Sequence, residues 1–123
     1  MTIARIWRVV TLAEKSGHYL EYLNKVIVPA CQTAEGNEGL FLMKECQGEL
    51  THFLLLTFWA SDEAVANYTG TAEEVVNPTP EERDLLIAFE STARHYQVVK
   101  LETYREKCWH PDQDRQIHTR YPS

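Results

Sequence analysis

The sequence predicts an α+β domain, an antiparallel sheet with helices on one face, and three observations carry that reading. His52-Phe53-Leu54-Leu55-Leu56-Thr57-Phe58-Trp59-Ala60 is short and rich in aromatic residues, as a strand is. Alternation along it puts Phe53, Leu55, Thr57 and Trp59 on one face and Leu54, Leu56 and Phe58 on the other. Neither face suits water, so both need covers. The chain has helices enough for one, which makes a second subunit the natural cover for the other. The third observation is the order of strand-like and helix-like segments.

Ile3 to Val10 alternates bulky and β-branched residues and reads as the first strand. Thr11-Leu12-Ala13-Glu14 has the capping-box pattern, with Thr11 as cap and Glu14 reaching back. The helix it opens carries Leu20, Leu23, Ile27 and Ala30 as its apolar stripe. Pro29 falls late in that pattern and should kink the helix or mark its last turns, and Gly36-Asn37 should end it. Gly39 to Cys46 reads as the second strand, joined by the turn Gln47-Gly48-Glu49 to the third, which ends near Ala60.

Ser61 then caps a second helix, with Asp62 and Glu63 at its positive end, Ala64, Val65 and Tyr68 on its apolar side, and Gly70 as its stop. Thr71-Ala72-Glu73-Glu74 could cap a further short turn. Thr79-Pro80-Glu81-Glu82 is the stronger start, because Pro80 stands at the first helical position, and Leu85, Leu86 and Phe89 supply that helix's stripe. Arg94 to Glu102 reads as the fourth strand. The order is βαββαβ, the ferredoxin-like split β-α-β arrangement.

Composition narrows the function classes. With 123 residues there is room for one domain, and a hydrophobic share of 44% fits a packed core. Residues 1–102 form the predicted domain; residues 103–123 form a polar, aperiodic tail expected to dock on the body or on a partner subunit. The net charge of −6, from 12 basic and 18 acidic residues, argues against nucleic acid as a partner. No apolar run reaches membrane-spanning length and the first residues carry no signal-peptide pattern, so no membrane partner is expected. Cys31, Cys46 and Cys108 read as reduced thiols of a cytoplasmic protein.

Several segments together carry a resemblance to a known family: Arg5-Ile6-Trp7-Arg8, Tyr19-Leu20-Glu21-Tyr22-Leu23, Gly36-Asn37-Glu38-Gly39, Phe53-Leu54-Leu55-Leu56 with Trp59, Glu81-Glu82-Arg83 and His95-Tyr96. Over about Ile3 to Leu101 the chain resembles the antibiotic biosynthesis monooxygenase-like proteins of the dimeric α/β-barrel superfamily. The resemblance implies a homodimer whose sheets face each other, with a pocket between sheet and helices in each subunit. It also implies oxidation of a small aromatic or polyketide-like substrate without metal or flavin, the deprotonated substrate supplying the electron to oxygen. The superfamily also hosts haem-degrading enzymes and isomerases, so the fold does not name the reaction. The haem-degrading members carry an Asn where Trp7 stands and a His on the second helix, where this chain has Asn67, Tyr68 and Thr69. Both departures argue against haem degradation, and no cofactor is expected. Trp59 stands where that branch has its functional Trp, but this Trp is common across the superfamily.

The candidate catalytic residues are Trp59, Tyr68 and Arg5; the candidate substrate-binding residues are Trp7, Phe53, Thr57, Asn67 and Phe89. Trp7 shares its strand face with Arg5, and Trp59 with Thr57 and Phe53. If both sets face the helices, two indoles and a guanidinium line one cavity, suited to a flat ligand with a phenolate or carboxylate. The alternative is that both indoles are core and Arg5 pairs with a carboxylate at the rim. Tyr68 could donate to an oxyanion or present its hydroxyl to water. His52 and His95, near strand ends, are candidate bases for an isomerase or cyclase, and a surface role suits either as well. His18 is expected to face solvent. Cys108, His110 and His118 match no standard zinc spacing, so no metal is expected. Neither a serine nucleophile elbow nor a phosphate-cradling or dinucleotide glycine motif is present, and the acidic residues at helix starts are accounted for by capping. A non-catalytic dimeric module that binds a small hydrophobic molecule is the reading from a different class.

Overall fold

The structure, a computed structural model, describes residues 1–70, 74 and 76–102. The elements run β1 (Ile3–Leu12), a 3-10 turn (Ala13–Lys15), α1 (Ser16–Tyr22), a π-helical turn (Leu23–Ile27), α2 (Val28–Thr33), β2 (Asn37–Gln47), β3 (Leu50–Trp59), α3 (Asp62–Thr69), α4 (Pro80–Leu85), β4 (Ala88–Phe89) and β5 (Arg94–Gln97). The strands join in the order β2-β3-β1-β4, with β5 also on β1, and every pairing is antiparallel. This is the split β-α-β topology, its fourth strand position filled by two short pieces. The helices cover one face of the sheet.

Alternation decides that face. Along β3 every second residue from Thr51 to Trp59 is buried. The register with β1 sets Val9 opposite Phe53, Trp7 opposite Leu55, Arg5 opposite Thr57 and Ile3 opposite Trp59. These rows meet the helices in two apolar clusters. One joins Trp7, Val9, Phe53 and Leu55 to Tyr19, Tyr22 and Leu23. The other joins Ile3 and Trp59 to Cys31 and Val65. The polar row Arg5–Thr57 lies between them, and this interruption positions the site.

Local sequence explains most element ends. The Ser61 hydroxyl accepts from the Ala64 N–H at 3.1 Å and caps α3, and Gly70, at φ +81°, closes it. Thr79 accepts from the Glu82 N–H at 3.2 Å and caps α4, with Pro80 at its start. Gly36 turns the chain into β2 at φ +85°, where a Cβ would stand 2.6 Å from that of Ala64. Pro29 has no N–H to donate, and the backbone before it widens into the π turn.

Several expectations need correction. Thr11 is no helix cap: β1 continues to Leu12, and Thr11 pairs fully buried with Thr51, because the β2–β3 hairpin arm extends that far. The helical stripe is Tyr19, Leu23, Ile27 and Cys31, while Leu20 is half-buried and Ala30 exposed. The α4 helix stops at Leu85, so Phe89 lies in β4 opposite Val9 instead of on a helix. Strand pairing of the last segment ends at Gln97 opposite Ile3, where β1 begins, and Val99 and Leu101 are exposed. The Thr71-Ala72-Glu73-Glu74 turn and the tail with Cys108, His110 and His118 lie outside the described residues.

The outer sheet face carries Phe41, Met43, Leu54, Leu56 and Phe58, with Phe41 58% and Met43 45% exposed. The Phe41 and Phe58 rings meet edge to face at 5.9 Å. Among the described residues no helix is long and apolar enough to cross a membrane.

Candidate active site

A cavity of about 370 Å³ opens between the sheet and the helices. Its floor is Arg5, Trp7, Leu55 and Thr57 from the two central strands. Tyr22, Ile27 and Cys31 form one wall, Tyr68 and Thr69 another, and Asn77, Thr79 and Glu82 stand at a third side.

Arg5 is the cation of this cavity. Its Nε is buried without a hydrogen bond, and its guanidinium makes no ion pair among the described residues. Burial lowers its pKa, against the opposing pull of Tyr68, Cys31 and Glu74, yet a guanidinium stays protonated. A partly desolvated cation without a counter-charge is costly unless something that visits the site supplies one.

Trp7 presents its ring to the cavity while its Nε1–H donates to the Glu90 carbonyl at 2.7 Å. That carbonyl sits at the irregular step between β4 and β5, so the indole both lines the site and holds the strand break. Phe89 supports it from behind, with centroids 6.2 Å apart, and Arg83 stacks on Phe89 at 5.5 Å. The Tyr68 hydroxyl lies 3.5 Å from the Cys31 thiol that donates to it. Burial raises the pKa of both groups, so the phenol stays protonated and able to donate.

Four of the eight sequence-nominated residues line the cavity: Arg5, Trp7, Thr57 and Tyr68. Trp59 does not. It is fully buried, its Nε1–H donates to Thr57 Oγ1 at 2.8 Å, and Tyr68 covers it. Two indoles on one sheet face are therefore not two indoles in one cavity. Phe53 is core against Tyr19, Asn67 is exposed on α3, and Phe89 stands behind Trp7. His52 points to the outer face, and His95 pairs loosely with Glu74 at 3.8 Å; neither borders the cavity. His18 is exposed.

The sequence reading missed Glu82, Cys31 and Tyr22. Glu82 is 4% exposed, and its Oε2 accepts from the Tyr19 hydroxyl at 2.8 Å. Burial raises its pKa, partly offset by that hydrogen bond. Tyr22 and Thr79 share a hydrogen bond of 3.1 Å at the same side. The tyrosines at helical spacing were the available signal: Tyr19 and Tyr22 have apolar bodies whose hydroxyls need partners when buried.

No family model matches the chain, and no curated protein matches it significantly. Solved structures do. A Bacillus cereus protein assigned as an antibiotic biosynthesis monooxygenase is 17% identical with a TM-score of 0.59, covering 84% of this chain and 96% of its own. A variant of SnoaB, a cofactor-independent oxygenase from Streptomyces nogalater, is 10% identical with a TM-score of 0.60, covering 81% and 95%. The heme-degrading protein Rv3592 from Mycobacterium tuberculosis is 22% identical with a TM-score of 0.54, covering 84% and 100%. At these identities the likeness is one of fold, and the chain has the ferredoxin-like fold shared by the antibiotic biosynthesis monooxygenase proteins.

Proposed function

We propose that this chain is a cofactor-independent monooxygenase-like protein that takes a small phenolic or polyketide-like substrate into the cavity. The observation that supports it most is Arg5: a half-buried guanidinium whose Nε has no hydrogen bond and which forms no ion pair among the described residues, on a floor shared with an indole. A flat ring would lie along Trp7, its oxyanion would meet Arg5, and the Tyr68 hydroxyl would donate to the same charge. The deprotonated ring would pass the first electron to dioxygen, so the reaction calls for neither metal nor flavin. In this reading a second copy of the chain covers Phe41, Leu54, Leu56 and Phe58, because a monomer leaves that apolar face in water.

The test is a fluorescence titration with anthrone-like phenols, quinones and haem, followed by oxygen uptake. Saturable quenching by a phenol, weakened in Trp7→Phe, with oxygen consumed in step with substrate, is the expected result. Quenching without oxygen uptake would leave a binding module. A Soret shift with haem and no phenol binding would move the protein to the haem-degrading branch.

A further inference from the structure

Glu82 is the only acidic side chain among the described residues that line the cavity. Its place in Thr79-Pro80-Glu81-Glu82 would send the carboxylate back to the start of its own helix, yet it turns inward instead. Oε2 is held by the Tyr19 hydroxyl at 2.8 Å. Oε1 has no hydrogen bond among the described residues, and it is not among the polar atoms sealed from access. No Lys, Arg or His forms an ion pair with this carboxylate among the described residues. A glutamine would hold Tyr19 equally well without the cost of a buried charge. A carboxylate there needs a reason that packing does not supply.

We propose that Glu82 is the catalytic base of this cavity, taking the hydroxyl proton of a bound phenol onto Oε1. The proposal rests on the phenol reading of the site. In the step, the substrate O–H bond breaks and an O–H bond forms on Glu82. The electron pair stays on the substrate oxygen, in the cavity that holds the Arg5 cation. The negative charge moves from one oxygen to another, so the net charge of the cavity is unchanged and no new buried charge is created. Tyr19 keeps Oε2 occupied and leaves Oε1 for the substrate. Among the described residues the other titratable groups around it are Tyr22 from α1, Cys31 from α2, Tyr68 from α3, Arg5 from β1 and Glu81 on its own turn. Burial brings the carboxyl closer to a phenol in proton affinity, which favours transfer.

The experiment is an anaerobic titration with 2-naphthol at neutral pH, reading the red-shifted absorption of the naphtholate. Wild type should bind the probe as naphtholate. Glu82→Gln should still bind it, but with the ratio of naphtholate to naphthol reduced about tenfold or more, one unit in the bound probe's pKa. Tyr19→Phe should keep the naphtholate band. In wild type alone, the infrared difference spectrum on binding should show a new protonated-carboxyl band, which serves even if the Gln variant does not fold. Naphtholate in Glu82→Gln at wild-type levels, naphthol bound only as the neutral form by wild type, or no carboxyl band, would overturn the role of Glu82 and leave the cavity a phenol site. Failure of wild type to bind naphthol or anthrone would overturn the phenol reading itself, and Glu82's role with it.

Discussion

The Tyr68 ring lies over the Trp59 indole, centroids 4.8 Å apart and planes tilted by 36°, and separates that indole from the cavity. Tyr68→Ala should therefore open Trp59 to water, with a red-shifted emission and new access to acrylamide. Tyr68→Phe keeps the ring and should leave the emission in place. An unshifted spectrum in the Ala variant would mean that something other than Tyr68 seals Trp59.

The two indoles should separate in mutagenesis. Trp59→Ala empties a fully buried site and should cost about 3–5 kcal/mol of stability, read by urea denaturation. Trp7→Phe leaves a ring in place and strands the Glu90 carbonyl, a loss of about 1–2 kcal/mol. Phenol binding should weaken in Trp7→Phe. If Trp59→Ala were as stable as wild type, its place in the core would be wrong.

Arg5→Met should separate binding from stability. Among the described residues its Nε has no hydrogen bond and the guanidinium no ion pair, so an apolar chain of similar length should leave the melting temperature unchanged or raise it. Binding of an anionic phenol should fall by roughly tenfold or more, the loss of about 1.4 kcal/mol. A strongly destabilised Met variant with intact phenol binding would assign Arg5 to the framework.

Glu82 gives stability a signature in pH. Burial holds its folded pKa above the unfolded value, so the native state keeps the proton to higher pH than the unfolded chain does. Its favourable contribution is complete below about pH 4, the ordinary carboxyl range, and is lost as pH rises through the folded value. Glu82→Gln does not titrate. The melting temperature of this variant relative to wild type should climb between acid and neutral pH. A difference that is flat or shrinks over that range would contradict the buried charge.

The outer face offers a fifth check of a different kind. Phe58→Glu places a charge beside Phe41 and Leu56, in the middle of the apolar patch. Sedimentation should show wild type as a dimer and this variant as a monomer. An unaltered dimer would place the subunit contact elsewhere.

What the sequence determined by itself was local or periodic. Alternation told which residues of β1 and β3 share a face, since a strand has a period of two. Ser61, Gly70, Thr79 and Pro80 marked helix ends, because caps are satisfied within a few residues. Only the tertiary structure decided the rest. Thr11 carries a cap pattern, yet pairing with Thr51 extended the strand over it. Phe89 keeps helical spacing with Leu85, yet pairing with Val9 took it into the sheet. Trp7 and Trp59 share a face, but depth differs, because α3 lays Tyr68 over one and a cavity opens above the other. Glu82 looked like a helix-start acid until Tyr19, far away in sequence, drew its carboxyl inward. Face and cap follow from neighbours along the chain; burial depth and hydrogen-bond partners follow from which element packs above, and that is set by contacts between distant residues.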